Sequence, residues 1–347
     1  MSLARLLLLT LALLLSACGK ELFYQEQAYV FGTQVDVSIY GEDEAKARQA
    51  TVAVMHEFQR LHDTLHAWKP SELSSLNTAI AQGKSMQVSP ELAEMLKDAT
   101  LVSAQSEGLF NPAIGGLIQT WGFQADDFKA VLPDAKKVAA LVKAKPQMSD
   151  ISILSHIAWK TASSRNRIVK LDLGGYAKGY ALDRAVTILK EQGIHNALIN
   201  IGGNVMALGT HGTRPWMVGI QHPRKPGPLA ILELRDGEAI GTSGDYQRYF
   251  ELDGKRYCHL IDPRSGYPVQ DVQAVTILVR GEHAGLRSDS NSKPLFIAGA
   301  AGWTNAALRM QIEEALLVDG EGVVHLTAAM QKRLKFTNES TRREVAP

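Results

Sequence analysis

The chain has 347 residues, with 37 Lys and Arg against 36 Asp and Glu for a net charge of +1, and is 45% hydrophobic and 21% charged. That composition suits a globular core and excludes disorder, and near-neutrality without a long basic run argues against nucleic acid as a partner. The two cysteines, Cys18 and Cys258, are too few for a zinc framework or a disulfide scaffold.

The chain opens with Arg5, an apolar run over 6–15, and Leu15-Ser16-Ala17-Cys18. The run is too short to span a bilayer and has the length of a signal h-region. A cysteine directly after Leu-Ser-Ala looks like a bacterial lipobox. Residues 1–17 are therefore expected to be a lipoprotein signal peptide, with Cys18 as the lipidated N-terminus of a tethered, extracytoplasmic protein. Plain signal cleavage beside an incidental cysteine is the other reading.

Residues 29–40 read as extended, with Val35, Val37 and Ile39 alternating around Asp36 and Ser38. A helical pattern over 43–65 breaks at Trp68-Lys69-Pro70-Ser71, and SELSSLN (71–77) reads as a capped short helix. A helix over 90–106 closes at Glu107-Gly108, residues 110–123 are turn-rich, and 133–145 form a lysine-faced helix. Strands are expected over 151–157 and 168–173, then a helix from Gly175 to Gln192 with Gly193 as its stop. Strands dominate thereafter, over 197–201, 205–208, 216–221, 229–234, 239–241, 249–252, 256–261 and 275–279. A helical pattern resumes over 292–298, and 315–326 read as a hairpin about Asp319-Gly320. Helices and strands alternate early and strands cluster late, which favours α+β over a doubly wound parallel sheet.

Several glycine-rich or acid-bearing junctions are candidate sites. In LDLGGYAKGYALDRA (171–185) an apolar run carrying Asp172 breaks at Gly174-Gly175 and becomes a helix with Lys178 in its first turn. Bare amides and a helix N-terminus attract phosphate, although a double glycine also simply turns a chain. NIGGN (200–204) is either a ligand cradle or a β-bulge. TSGDY (242–246) offers hydroxyls beside Asp245, or is a turn satisfying its own backbone. HLIDPRSGYP (259–268) presents Asp262 and Arg264, as a phosphate fork or as an internal clasp. His259 is a candidate general base, though a lone strand histidine is often structural. FELDGKRYCHLI reads as a hairpin about Asp253-Gly254, so Cys258 and His259 point to opposite faces and do not cooperate. His62 and His66 are one helical turn apart, without the glutamate of a zinc motif, and are expected on a surface helix face. In RSDSNSKPLF (287–296), Asp289 among hydroxyls suits Mg²⁺, while Ser or Asn capping a helix before Pro294 in its first turn is the structural alternative.

In order and spacing these motifs resemble the FAD:protein FMN transferases of the ApbE family. The shared elements run from FGT (31–33) through SELSSLN, FNPAIGGL, WGF and LDLGGYAKGYALD to NIGGN, then TSGDYQRYFELDGKRYCHLIDPRSGYP and the acid at Asp289. The resemblance implies one α+β domain over 18–347, with mixed and antiparallel sheets and helices around a nucleotide-binding cleft. It also implies the reaction. With Mg²⁺ and FAD in the cleft, a threonine or serine hydroxyl of a target protein attacks the FMN phosphorus and AMP leaves.

By the same resemblance Asp289 is the carboxylate metal ligand, with backbone near Gly175 and Ser292 as further oxygens. Phe31, Phe110, Asn111, Asp172, Lys178, Thr242, Ile261 and Arg264 contact the nucleotide, and Trp68 stacks on the isoalloxazine. His259 is the base, supported by Asp245 and Asp262. Two positions depart from the pattern. The family usually reads DALSTALF where this chain has DSNSKPLF (289–296), so Lys293 stands at the metal-binding threonine, and Asn111 stands at a usual aspartate. An ammonium cannot ligate a cation. Either Ser290 or Ser292 replaces the lost ligand, or Lys293 substitutes for part of the metal's charge.

The acceptors implied are flavoprotein subunits of redox complexes, and the location is periplasmic, lipid-anchored, with the inner membrane favoured. Two other functions fit the same residues: an FAD pyrophosphatase giving FMN and AMP, and a non-catalytic FAD-binding lipoprotein.

Overall fold

A computed structural model describes residues 22–125 and 127–346. The leader expected over 1–17 and the lipidation expected at Cys18 lie outside the described residues. No helix among the described residues is long and apolar enough to cross a membrane.

The first hairpin pairs β1 (Phe23–Val30) with β2 (Thr33–Tyr40) across Phe31 and Gly32, both at positive φ. Two successive left-handed residues make the tight turn that matches strand twist. Helix α1 (Glu44–Thr64) follows, capped by Asp43 and burying Ala47, Ala50, Val54, Phe58 and Leu61 at helical spacing. Next come α2 (Glu72–Ala81), opened by a Ser71–Ser74 capping box, then β3 (Met86–Val88) and α3 (Pro90–Gln105), with Ser89 as cap and proline at its start. The short α4 (Gly115–Thr120) and α5 (Ala135–Lys143) lead to β4 (Ile151–Ser155), β5 (Lys160–Ser164) and α6 (Ala177–Glu191).

The second half supplies β6 (Ala197–Ile201), β7 (Asn204–Leu208), β8 (Trp216–Gln221), β9 (Pro228–Leu234), β10 (Glu238–Gly244), β11 (Tyr249–Leu252), β12 (Lys255–Cys258) and β13 (Val272–Arg280). Helix α7 (Ala284–Arg309), β14 (Glu314–Asp319), β15 (Val324–Leu326), α8 (Ala328–Gln331), β16 (Leu334–Phe336) and β17 (Arg343–Val345) complete it.

A nine-stranded sheet in the order β1-β2-β6-β7-β10-β13-β14-β15-β17 is antiparallel except at its β15–β17 edge. Strand β13 is buried on both faces from Val272 to Val279, so it reads as a continuous apolar run rather than an alternating one. On one face lie α1, α6 and α7. On the other the small sheet β16-β9-β8 brings Trp216, Val218, Leu232 and Leu234 against Ala274, Leu278 and Leu316. The expected α+β class holds.

Three local expectations are corrected. Residues 168–173 make no strand: one bridge pairs Lys170 with Ile114, and the buried amide of Asn77 exchanges two hydrogen bonds with the Leu171 backbone, at 2.6 and 2.8 Å. NIGGN is not a bulge, because Ile201 pairs Asn204 across Gly202 and Gly203, both at positive φ, in a two-residue hairpin turn. The helix expected over 292–298 begins at Ala284, so Ser288 to Ser292 and Pro294 lie in its interior and no serine or asparagine caps it there. Its start is held from α6, where the Asp183 carboxylate accepts the amides of Gly285 and Leu286, both at 2.9 Å. It kinks at Gly299, φ 75°.

Candidate active site

The turn at Gly174 and Gly175 that leads into α6 forms the floor of a cleft of about 860 Å³. Its walls are the β1–β2 turn, the segment after α1, residues 109–114, the C-terminal part of β10 with the residues after it, residues 259–261, and Lys293 with Ile297 on α7. The volume suits a cofactor-sized ligand, and aromatic walls with convergent polar groups are usual for one.

Glycines set the depth of the floor. A Cβ on Gly179 would lie 2.5 Å from the Gly285 carbonyl and 2.6 Å from Asp289 Cβ, so α6 and α7 touch backbone to backbone. A Cβ on Gly241 would lie 2.0 Å from the Ser288 carbonyl, which seats α7 equally close on β10. This packing puts the fully buried Asp289 under the start of α6, where it accepts the Gly179 amide at 3.0 Å. Its other oxygen meets the Lys293 ammonium, with Lys178 Nζ 3.8 Å away. Burial alone would raise the Asp289 pKa, but Lys178 and then Lys293 outweigh it and hold the carboxyl at about 2. Burial lowers Lys293 below an ordinary lysine, and the charge of Asp289 offsets part of that.

His259 follows β12, its ring nitrogen Nδ1 3.2 Å from the Arg248 carbonyl and its ring edge-on to Phe123. Burial, then the charges of Arg248 and Lys178, push it down to about 3, so the imidazole is neutral at neutral pH. Trp68 packs edge-on against His66, whose Nδ1 accepts the Lys69 amide at 3.1 Å, and the Arg248 guanidinium lies 6.0 Å from the Trp68 ring. His62 and His66 line the cleft rather than a surface helix face, which corrects that expectation.

Phe31, Trp68, Phe110, Asn111, Asp172, Gly175, Lys178, Thr242, His259, Ile261 and Lys293 all line this one cleft. Asp172 is oriented by Gln124 at 2.9 Å and by the Gly174 amide at 3.0 Å. Asn111 is committed to the Pro146 carbonyl and the Ala113 amide. Thr242 and Ser243 belong to β10 rather than a turn: Thr242 bonds Thr276 across the sheet, and Ser243 bonds Ser292 on α7 at 2.8 Å. Asp289 and Ser292 lie buried directly beneath the lining.

The other three positions stand apart. Asp245 is outside the lining, its two oxygens gripped by Arg224 at 2.7 and 2.5 Å with Arg256 3.6 Å away. Asp262 and Arg264 form the internal clasp, with bonds of 2.8–3.1 Å, and Arg264 also donates to the Ile297 carbonyl. Cys258 is buried, its sulfur 3.8 Å from the carbonyls of Leu260 and Val269, and burial pushes its thiol up to about 12.

Sequence reasoning missed Arg248, Asn77 and Asp183. Arg248 lies within TSGDYQRYF, Asn77 ends SELSSLN and Asp183 ends LDLGGYAKGYALD, so each stood in a motif without a role attached.

The residues present do not fit magnesium as arranged. Mg²⁺ requires near-octahedral oxygen donors. Here one carboxylate already holds an ammonium, Ser292 donates to the Asp289 carbonyl, and Ser290 is spent on Leu286 and Asn291. Among the described residues no group of three His, Cys, Asp or Glu is placed to hold a metal ion.

A family model described as "ApbE family" matches residues 31–317. An FAD:protein FMN transferase of Rhodobacter capsulatus is 41% identical over 310 residues, covering 89% of this chain and 58% of that protein, so the chain spans little more than half that relative's length. One from Klebsiella pneumoniae (strain 342) is 33% identical over 261 residues, covering 74% of this chain and 77% of that protein. Among solved structures, the ApbE protein of Thermotoga maritima aligns with a TM-score of 0.80 at 27% identity, covering 91% of this chain and all of that one. The flavinyl transferase ApbE of Pseudomonas stutzeri, in its apo form, aligns at 0.76 and 26% identity, covering 91% and 98%.

Proposed function

The chain belongs to the ApbE family, and from that premise we propose that it binds FAD in the cleft and transfers FMN to a threonine or serine hydroxyl of a target protein, releasing AMP. The observation that carries this reading is the convergence on one cleft of an aromatic wall at Trp68 and Phe31, two lysines at the α6–α7 contact, and a neutral histidine.

The division of labour follows from that geometry. Lys178 and Lys293 face the diphosphate and neutralise charge as it moves onto the leaving oxygen. The acceptor oxygen bonds to the flavin-side phosphorus, the bond from that phosphorus to the bridging oxygen breaks, and AMP departs with the electron pair. His259 takes the acceptor's proton. Its low pKa in the free protein comes partly from Arg248 and Lys178, so an anionic nucleotide beside those charges raises it toward the useful range. Trp68 and Phe31 flank the flavin, and Asp172, Asn111 and Phe110 form the wall against which the nucleotide lies.

Magnesium is the cation the family resemblance implies, and it would supply further charge neutralisation. The donor set at Asp289 does not fit it, and the two lysines carry the charge there. The leader sequence and Cys18 support a periplasmic location, lipid-anchored, preferentially at the inner membrane. Flavoprotein subunits of redox complexes are its acceptors.

The test is incubation with FAD and a candidate acceptor domain, followed by denaturing electrophoresis. In-gel flavin fluorescence on the acceptor, lost in His259→Ala, supports the reading. AMP with only free FMN replaces it with a pyrophosphatase, and FAD binding without AMP release replaces it with a flavin-binding lipoprotein.

A further inference from the structure

We propose that Lys293 occupies the cation position of this site, so that the chain meets its nucleotide's diphosphate with a resident ammonium in place of a divalent ion. The inference rests on the flavin-nucleotide reading above.

The lysine is built in. Its ammonium bonds both the carboxylate and, at 2.7 Å, the main-chain carbonyl of Asp289, one turn earlier on α7. Its stem lies over Gly175, where a Cβ would approach Lys293 Cε to 2.9 Å and Cδ to 3.2 Å, so the second glycine of the junction makes room for it. The carboxylate is wholly buried and the lysine side chain nearly so. The hydroxyls that could complete an oxygen shell point elsewhere, Ser292 to the Asp289 carbonyl and Ser243, and Ser290 to Leu286 and Asn291.

Lys178, 3.8 Å from the same carboxylate, brings a second ammonium. Two single charges beside one carboxylate carry the charge of one divalent ion there, and both lysines line the cleft. Lysine binds phosphate as a point charge, which is the role a metal would otherwise fill. A divalent ion approaching Asp289 must displace one of these ammonium groups or be repelled by it.

The experiment titrates Mn²⁺ into metal-stripped protein without nucleotide and follows free Mn²⁺ by electron paramagnetic resonance. In parallel, FAD binding is measured by flavin fluorescence quenching with and without EDTA. The expected result is no stoichiometric Mn²⁺ site in the wild type and FAD binding unchanged by EDTA. Lys293→Thr should gain Mn²⁺ affinity by about 10–100-fold. A stoichiometric wild-type Mn²⁺ site, or FAD binding abolished by EDTA, overturns the proposal. If Lys293→Thr does not fold, the two wild-type measurements still decide. Failure to bind FAD under any condition counts against the flavin reading, whereas Mn²⁺ binding or exclusion bears on Lys293 separately.

Discussion

The Asp289–Lys293 pair can be tested apart from any chemistry by a double-mutant cycle of Lys293→Met, Asp289→Asn and the double variant. Lys293→Met leaves a fully buried carboxylate with only the Gly179 amide at 3.0 Å and Lys178 at 3.8 Å. Removing one partner of a buried ion pair costs about 3–5 kcal/mol, and the two remaining partners place this variant near the low end, about 3 kcal/mol. Unfolding entropy of about 2.1 cal/mol/K per residue over roughly 320 residues converts that to a fall in Tm of about 5 °C. Asp289→Asn strands a lysine that can escape by losing its proton, so its cost is smaller, about 1–2 kcal/mol. The double variant buries no charge at either position and should be more stable than the sum of the single losses by about 2 kcal/mol. The assay is thermal and urea unfolding of all four proteins at one pH. Additivity within about 0.5 kcal/mol would show that the pair is not coupled and refute the reasoning.

Three further outcomes are expected. Gly179→Ala drives a methyl into the Gly285 carbonyl and Asp289. It should cost about 1–3 kcal/mol in urea unfolding and weaken FAD binding, and wild-type values for both would contradict the close-contact argument. Asp245→Ala breaks the pair with Arg224 outside the cleft; because Arg224 is exposed and regains water, the loss of stability should be only about 1 kcal/mol while FAD affinity is kept. Loss of transfer at unchanged stability would return Asp245 to the chemistry. The third concerns His259, whose pKa falls from an ordinary 6.5 to about 3 on folding. As pH drops below 6.5 the unfolded chain takes up this proton first, so stability declines toward pH 3 and that contribution then levels off. His259→Gln should flatten this window in a pH series of unfolding curves and slow transfer by about 10²–10⁴-fold with little change in FAD affinity. An unaltered pH slope would show that the histidine is not buried neutral.

Much of the site was legible because it is local. The glycine junction, Lys178 in the first turn of α6 and the Asp253-Gly254 hairpin follow from backbone rules acting within a few residues. What failed is long-range. The run Ser-Asp-Ser-Asn-Ser over 288–292 has the composition of a cap, yet it is buried mid-helix because Asp183, on another helix, holds the true start of α7. The apolar residues of 168–173 suit a strand, but Asn77 takes up the backbone groups of Leu171 that a neighbouring strand would have used. Asp245 looked like a site acid because the arginine that grips it comes from the segment after β8, which no local pattern connects to it. The departure at Lys293 was visible in sequence. Its bond to Asp289 and its fit over Gly175 needed α6 and α7 in contact.

The most direct test of flavin transfer is the intact mass of an acceptor domain after incubation with FAD and the protein, measured under denaturing conditions alongside released AMP. The predicted result is acceptor heavier by one FMN less one water, with one AMP released per flavin attached. AMP release with the acceptor mass unchanged across candidate acceptors would contradict it.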